Sequence, residues 1–499
     1  MESTPLLHLR KESEDRSKLG NLLKANIVFL TYHLSVNMRS PVLTQYLYQR
    51  YLSELVDNGT DTSSNNVTSK CLVNKSDPAY LIHVQAEEMS NNITVMFGYI
   101  STPMCIISCI LLGSYSDYIG RRILFVIPLM GEGIRNALCT AVMCWDMDLR
   151  YMYIGEAITG ITGGYNGVSL ASYVYTADNT PPKASRTIGM AAVDFTTYFA
   201  AALSQAGTGY FIQYMGFAWP SFVTAALVFL TVFFVIVILP ETVPLEKKQS
   251  PCIAPTKAIK NVFGFYFSKD FGRKRSLFWI AFIAFFITYV GNSGTGSIDY
   301  MLLLNQPFCW GPEMIGYVNM AAMLLYQFLT VGVIKLFHMC TGDEMIAILT
   351  ALVRGGSDVL HGLAYTDYMI YAQTVLAALA APLSPVLRGI VSRMAPADIQ
   401  GSLFAGLTVA GVVASTTGLA IYGAVYDATV ETMRGFVYFT CGGTRVLTAI
   451  ILVVFYCVAP GILRQIKTEA VIINDQDERD HVVTPPQKPV VDSEVKCRI

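Results

Sequence analysis

Two charged residues stand apart in apolar surroundings and are the first candidates for chemistry. Asp194 lies in GMAAVDFTTYF, among apolar or weakly polar neighbours. Arg388 follows Ser384 and Pro385, with Pro382 just before them. A charge at the centre of a lipid-embedded helix costs roughly 2.5–3.5 kcal/mol on the insertion scale, so each needs a partner or a wet cavity. Burial disfavours the charged form of a carboxylate, which readies Asp194 to load a proton from an acidic side and release it to the cytosol. Arginine stays charged and presents a fork of donors that matches a carboxylate. The two prolines suit a discontinuous helix lining a cavity. A plain alternative stands beside this: each charge is half of a structural ion pair, the two with one another among the options.

Other embedded charges have neighbours at helical spacing. Glu132 and Arg135 are three residues apart, and Arg354 and Asp358 are four apart, with His361 about a turn further on. Such spacings put the partners on one helix face. Glu156 is a further acid candidate, or a partner for Arg39 or Arg135. In the first apolar run Asn37, Arg39 and Gln45 are candidates to coordinate a polar or anionic solute, with Arg39 alternatively an anchor at the membrane interface.

These residues must be positioned by membrane-spanning helices. The chain has 499 residues, of which 53% are hydrophobic and 14% charged. Soluble domains carry about 25% charged residues. The net charge of −1 implies no polyanionic partner such as nucleic acid. The apolar residues gather into twelve runs of about the length that crosses a bilayer as helix. They fall near 24–44, 95–115, 123–144, 151–175, 185–209, 217–239, 276–299, 313–337, 344–364, 368–391, 402–426 and 436–459. The expected fold is all-α, with twelve transmembrane helices in two six-helix bundles. The expected divisions are an N-terminal tail (1–23), a first bundle (24–239) with a long loop (45–94), a linker (240–275), a second bundle (276–460) and a disordered C-terminal tail (461–499). Two similar halves are a frequent transporter plan. The first 23 residues are polar, so no cleavable signal peptide is expected.

Most of the 35 lysines and arginines fall in the tails, the linker and the loops on the same side of the membrane. The opposite loops hold Arg50, Lys70, Lys75, Arg150 and Arg434. This asymmetry predicts that both termini and the linker face the cytosol. The outward loop carries four glycosylation sequons, at Asn58, Asn66, Asn74 and Asn92, the last close to the membrane. Cys71 and Cys309 are the cysteines assigned to outward loops, and a disulfide between them is predicted.

The stretch GSYSDYIGRR, residues 113–122, joins the second and third spans on the predicted cytosolic side. Its Gly113, Asp117, Gly120, Arg121 and Arg122 suggest a conformational latch. Glycine permits close approach, and a carboxylate can pair with an arginine or accept from the start of a neighbouring helix. Ordinary positive-inside anchoring explains the arginines equally well. Here a resemblance enters. The stretch resembles the signature loop of the major facilitator superfamily, which favours the latch. A narrower likeness follows in SPVLTQYLYQRY (40–51), Cys71, SRTIGMAAVD (185–194), PFCW (307–310), IGYVNMAA (315–322), SPVLRGIVSRM (384–394), QGSLFA (400–405) and RGF (434–436). In order along the membrane part, these resemble the proton-coupled folate transporter family.

The resemblance implies two bundles rocking about a central cavity. It places Asp194 where that family has a glutamate tied to proton coupling, and Arg388 at the family's helix-ten arginine. It makes the third, ninth and twelfth spans peripheral supports, so that the Glu132/Arg135 and Arg354/Asp358 pairs and Arg445 read as structural, with a relay role for Asp358 and His361 as the alternative. Three departures put folate itself in doubt. Asn292 stands where the family has a helix-seven histidine, Gly164 falls near its helix-four acid, and Asp replaces Glu at 194.

The expected function is a proton-coupled transporter moving a small organic anion, folate-like or a conjugated metabolite, toward the cytosol. Asp194 would exchange the proton. Arg388 would hold the anion, with Asn292, Arg39, Gln45 and Glu156 as further candidate contacts. No cofactor beyond the coupling proton is expected, and the lipid bilayer is the surrounding partner. A proton-independent facilitator and a non-transporting receptor are the alternatives. No nucleotide loop, metal-ligand cluster or GxSxG nucleophile motif suggests an enzyme. ESTPLL near the N-terminus fits an acidic dileucine signal, so the plasma membrane and endosomal or lysosomal membranes are both candidate locations. The oligomeric state, a homo-oligomer included, is not fixed by the sequence.

Overall fold

Lipid offers the backbone no hydrogen bonds, so each apolar segment must satisfy its own, and helices do so. A computed structural model describes residues 4–57, 78–181, 184–242, 274–293, 298–299, 302–303, 307–310, 312–395, 400–429 and 432–483. Its long helices are α1 (Thr4–Asp57), α2 (Pro78–Ile119), α3 (Arg121–Trp145), α4 (Tyr151–Thr162), α5 (Gly164–Asn179), α6 (Ala184–Met215) and α7 (Ala218–Val237) in the first half. The second half holds α8 (Lys274–Ser293), α9 (Pro312–His338), α10 (Asp343–Gly362), α11 (Asp367–Leu379), α12 (Leu383–Met394), α13 (Gln400–Thr429) and α14 (Phe436–Val483). Twelve spans result when α4 joins α5 and α11 joins α12. Eight stretches among the described residues are long and apolar enough to cross a membrane.

The two broken spans occupy the same place, fourth of six, in each half. The tenth span breaks at Ala380–Pro382, where proline removes a backbone donor, as the sequence predicts. The fourth breaks at Gly163 and Gly164, with φ of +91° and +42°, a backbone that side-chain-bearing residues resist. Carbonyls freed at the end of α4 find donors on α2. Ser108 Oγ donates to Ile161 at 2.6 Å, and Cys105 Sγ to Gly163 at 3.2 Å.

Helix boundaries outrun the hydropathy runs. The first helix begins at Thr4, inside the predicted tail, and α14 continues to Val483. The expected disordered tail 461–499 is therefore corrected: it is helical through Val483. Apolar runs mark only the lipid-embedded part of a helix, whereas helix formers such as those in ILRQIKTEA carry it onward. Cys71, Asn58, Asn66, Asn74 and residues 243–273 of the linker lie outside the described residues. Asn92 is exposed on α2. Cys309 is disulfide-bonded, and the cysteine it bonds lies outside the described residues.

The buried apolar residues show where the halves meet. One core cluster draws on both, including Leu170 and Met190 of the first and Leu387, Phe404 and Ala405 of the second. Two smaller clusters stay apart, one around Leu47, Phe97 and Met152, the other around Leu303, Trp310 and Tyr438. The bundles are thus joined toward the α2–α3 turn. Contacts between them run through α2 and α5 against α13, and α6 against α9 and α12.

The α2–α3 turn is itself tightly fastened. A Cβ added at Gly113 would overlap Ala405 and approach the Gly401 carbonyl, so glycine lets α2 touch α13 of the other bundle. Gly120 has φ +130°, and a Cβ there would strike the Glu241 carboxylate. Glu241 instead accepts from the backbone N–H groups of Arg121, at 2.7 Å, and Arg122, at 3.4 Å, capping α3. The Arg121 guanidinium donates to Asp178 at 2.8 Å and to Ser116 Oγ at 2.8 Å. Arg122 Nε donates to the Leu239 carbonyl at 2.6 Å. The Asp117 side chain lies outside the described residues, so the acids seen at this turn are Asp178 and Glu241, both distant in sequence.

Two stability tests follow from these contacts. Asp178→Ala removes a carboxylate that accepts from the buried Arg121 guanidinium and should lower stability by roughly 1.5–3 kcal/mol. Gly435→Val forces a side chain into the Gly362 backbone, with an expected loss of roughly 1–3 kcal/mol. Thermal unfolding of purified protein in detergent measures both, and an unchanged midpoint would show that the contact does not form.

Candidate functional site

Where the two bundles face one another they enclose a cavity of about 440 Å³, within the usual range for small-molecule sites. Its first-half wall comes from His33 on α1, Tyr165, Ser169 and Tyr173 on α5, and Asp194, Thr197 and Tyr198 on α6. The second half supplies Phe285 and Tyr289 on α8, Arg388 on α12, and Phe404, Leu407, Ser415 and Thr416 on α13. The helices that follow the two breaks, α5 and α12, bring in Tyr173 and Arg388.

Asp194 and Arg388 meet across the cavity. Arg388 Nη1 donates to both carboxylate oxygens of Asp194, at 2.9 and 2.8 Å. The two side chains are 13% and 12% exposed, so the pair is largely removed from water. Tyr173 donates its hydroxyl to Asp194 Oδ1 at 2.6 Å. Its ring also lies under the guanidinium, with Arg388 Cζ 4.2 Å from the ring centre, a cation–π contact. Arg388 Nη2 donates to the Tyr289 hydroxyl. Tyr173 further stacks on Phe404 of the other bundle, with centroids 6.1 Å apart.

His33 flanks this group. The Thr197 hydroxyl lies 3.0 Å from both the Val193 carbonyl and His33 Nε2. His33 Nδ1 is buried with no hydrogen-bond partner among the described residues.

Toward the α2–α3 turn the cavity is closed by polar contacts between the bundles. Arg186 donates to the Ser392 carbonyl and hydroxyl, both at 3.3 Å, and to the carbonyls of Ala177 and Thr180 at 3.0 Å. Thr187 donates to Asp343 at 2.9 Å, and Asp343 also takes Arg393 and His338, each at 2.5 Å. A Cβ at Gly389 would lie 2.5 Å from Thr187 Oγ1, so the bundles touch there. The sequence stretches SRTIGM, RGIVSRM and QGSLFA thus converge at one gate.

The remaining candidates lie elsewhere. Glu156 is 3.6 Å from Arg135, which also contacts Glu132, in a buried cluster inside the first bundle. Arg39 points into a small space between α1, α3 and α7, beside Asn136 and Ser221. Gln45 is exposed. Asn292 accepts from Arg445 at 2.8 Å and sits 3.4 Å from Ser384. None of these four lines the cavity, because partners within their own bundle, or the outward turn of α1, take them away from it. Arg354 and Arg445 lie 3.2 and 3.4 Å from Asp358 in the second bundle. His361 stacks on Tyr438, centroids 4.0 Å apart, and Tyr438 donates to Asp299 at 2.6 Å.

The sequence missed Tyr173, Tyr289, Tyr165 and His33. One signal was present: Tyr165, Ser169 and Tyr173 recur every four residues, which places them on one face of the helix. Nothing comparable marked Tyr289.

Comparison with known proteins agrees with this architecture. The lysosomal proton-coupled steroid conjugate and bile acid symporter SLC46A3 of Bos taurus is 24% identical over 450 residues, covering 89% of this chain and 96% of the relative. The proton-coupled folate transporter of Bos taurus is 24% identical over 430 residues, covering 85% and 90%. These relatives are transporters, not enzymes. Among solved structures, the human organic anion transporter MFSD10 (TETRAN) superposes with a TM-score of 0.65 at 16% identity, covering 87% of this chain and 99% of that one. The proton:xylose symporter XylE superposes at 0.60 with 17% identity, covering 87% and 95%. The sequence profile of the Major Facilitator Superfamily matches residues 29–338, more than half of the chain, and this protein therefore belongs to that superfamily.

Proposed function

We propose that this chain is a proton-coupled symporter that carries a small organic anion toward the cytosol by alternating access. The observation that carries the proposal is the Asp194–Arg388 pair, made between bundles inside the cavity. Charge counting explains how such a pair couples two solutes. Empty, the site is neutral. A proton on Asp194 alone leaves Arg388 uncompensated, and an anion on Arg388 alone leaves Asp194 uncompensated. With both bound the site is neutral again. An unbalanced charge in a low-dielectric cavity is costly, so the cavity closes readily only when empty or doubly loaded.

Aromatic walls from Tyr165, Tyr198, Phe285 and Phe404 suit a flat ring system attached to the anionic group. The relatives' names point the same way, to folate, to steroid conjugates and to bile acids. Loop lysines and arginines put both termini, and the closed gate, on the cytosolic side. The open side would then face the outside or an organelle lumen, and the plasma membrane and endosomal or lysosomal membranes both provide an acidic side. Asp117 and the Gly113–Arg122 turn act as the cytosolic latch, and a Cys71–Cys309 disulfide with glycans at Asn58, Asn66, Asn74 and Asn92 belongs to the outer face.

A receptor that binds without transporting is the second reading. It is favoured by Asn292, which Arg445 holds inside its own bundle where a titrating group would otherwise stand.

Proteoliposome uptake separates the two. A panel of folates, bile-acid-like conjugates, cyclic dinucleotides and muropeptides is presented at acidic and at neutral outside pH. Accumulation should be greater with the acidic outside. Asp194→Asn should abolish pH-driven accumulation while downhill exchange continues. Arg388→Ala should weaken apparent affinity by about 30-fold or more. Binding without accumulation would establish the receptor, and uphill transport by the Asp194→Asn protein would remove the proton from the mechanism.

A further inference from the structure

We infer that Tyr173 is a positioning residue for the coupling step: its hydroxyl sets the acidity at which Asp194 releases Arg388, and it keeps both partners in place once they separate. The inference rests on the proton-coupled reading above and assigns it a further residue.

The geometry gives Tyr173 contacts with every part of the switch. Its hydroxyl donates to Asp194, its ring carries the Arg388 guanidinium, and the same ring stacks on Phe404 across the bundle boundary. Chemistry then distinguishes it from Arg388. Guanidinium is a donor only, so it can partner Asp194 only while the carboxylate has a bare oxygen to offer and gains most when it is charged. A tyrosine hydroxyl both donates and accepts. It can donate to the carboxylate and, after protonation, rotate to accept from the carboxylic acid. Asp194 therefore keeps a hydrogen-bond partner in both protonation states. Arg388 likewise retains the Tyr173 ring and the Tyr289 hydroxyl when its ion pair dissolves. The guanidinium stays aimed into the cavity, free for an incoming anion and without a search through rotamers.

The remaining groups around Asp194 do not duplicate this role. Those facing it are Tyr165 on its own side of the cavity, Tyr198 on α6, Tyr289 on α8, Arg388 on α12 and His33 on α1, while α13 contributes apolar Phe404 and Leu407. Among described residues, Tyr173 and Arg388 are the two that hydrogen-bond the carboxylate.

The sign of the effect follows. Donation from Tyr173 stabilises the charged carboxylate of Asp194, and Tyr173→Phe withdraws it. In Tyr173→Phe, which keeps the ring for Arg388 and Phe404, the midpoint of the transport-versus-pH curve should move upward by about one unit. Tyr289→Phe, which removes a hydroxyl bonded to the arginine and not to the carboxylate, should raise KM by about tenfold with a far smaller displacement of that midpoint.

The experiment is uptake by full-length protein in proteoliposomes across a pH series, with size-exclusion profiles confirming that each variant is folded. A Tyr173→Phe midpoint equal to wild type overturns the inference, as does a rise in KM without a shift, which would give the hydroxyl to the substrate. Wild-type uptake that ignores pH is a different result: it removes the proton-coupled reading, and this inference with it. Should Tyr173→Phe fail to fold, the same midpoint is read from Tyr173→Met, which fills the space and carries no donor, and the same two outcomes decide.

Discussion

One ion pair is made across the line along which the two bundles can part. Asp194 belongs to the first bundle and Arg388 to the second, and both are largely shielded from water. A charge pair in such a place is strong while intact and costly when only one member is satisfied. Its state therefore biases the relative position of two six-helix bodies. In the proposed cycle protonation would weaken it on one side, and an anion would replace Asp194 on the other. The tyrosines around it, the closed gate below it and the cavity above it are all arranged with respect to that pair.

The two broken spans make the pair available. An unbroken helix offers its backbone to no other group and presents side chains on a fixed spiral. At Gly163–Gly164 and at Ala380–Pro382 that spiral is reset. The segments that begin there, α5 and α12, carry Tyr173 and Arg388 into the cavity. Breaks at matching places in two halves are where a transporter's solute site is best sought. The carbonyls that a break exposes need donors, and Ser108 and Cys105 of α2 supply them. The neighbouring helix thus stabilises the break that shapes the site.

Location relative to the bundle boundary separates two sets of charges. Glu132, Arg135 and Glu156 pair within the first bundle. Arg354, Asp358 and Arg445 pair within the second. Such groups keep their partners when the bundles move as rigid bodies, so they hold each bundle together without reporting on the cycle. Asp194, Arg388, Arg186, Thr187 and Asp343 have partners in the opposite bundle. Rocking must break those contacts. The same rule explains why Asn292 and Glu156, plausible as contacts by residue type, stand away from the cavity.

Composition and apolar run length alone determined the class of molecule, the twelve spans and their division into halves, because a bilayer accepts few other solutions for a chain this greasy. Asp194 and Arg388 stood out for a related reason: an isolated charge in an apolar run is costly and must be explained. The break at Pro382 was legible because proline acts locally. What the sequence did not disclose was the pairing. That Arg121 would meet Asp178, that Glu241 would cap α3, and that Tyr173 and Tyr289 would cradle Arg388 depends on contacts between segments tens to hundreds of residues apart. Tyrosine in a membrane helix is unremarkable by composition, and only the packing of α5 against α6, α12 and α13 shows what its hydroxyl and its ring each touch. Local physics fixes which segments cross the membrane and which charges demand a partner, while the choice of partner is made by how the helices pack.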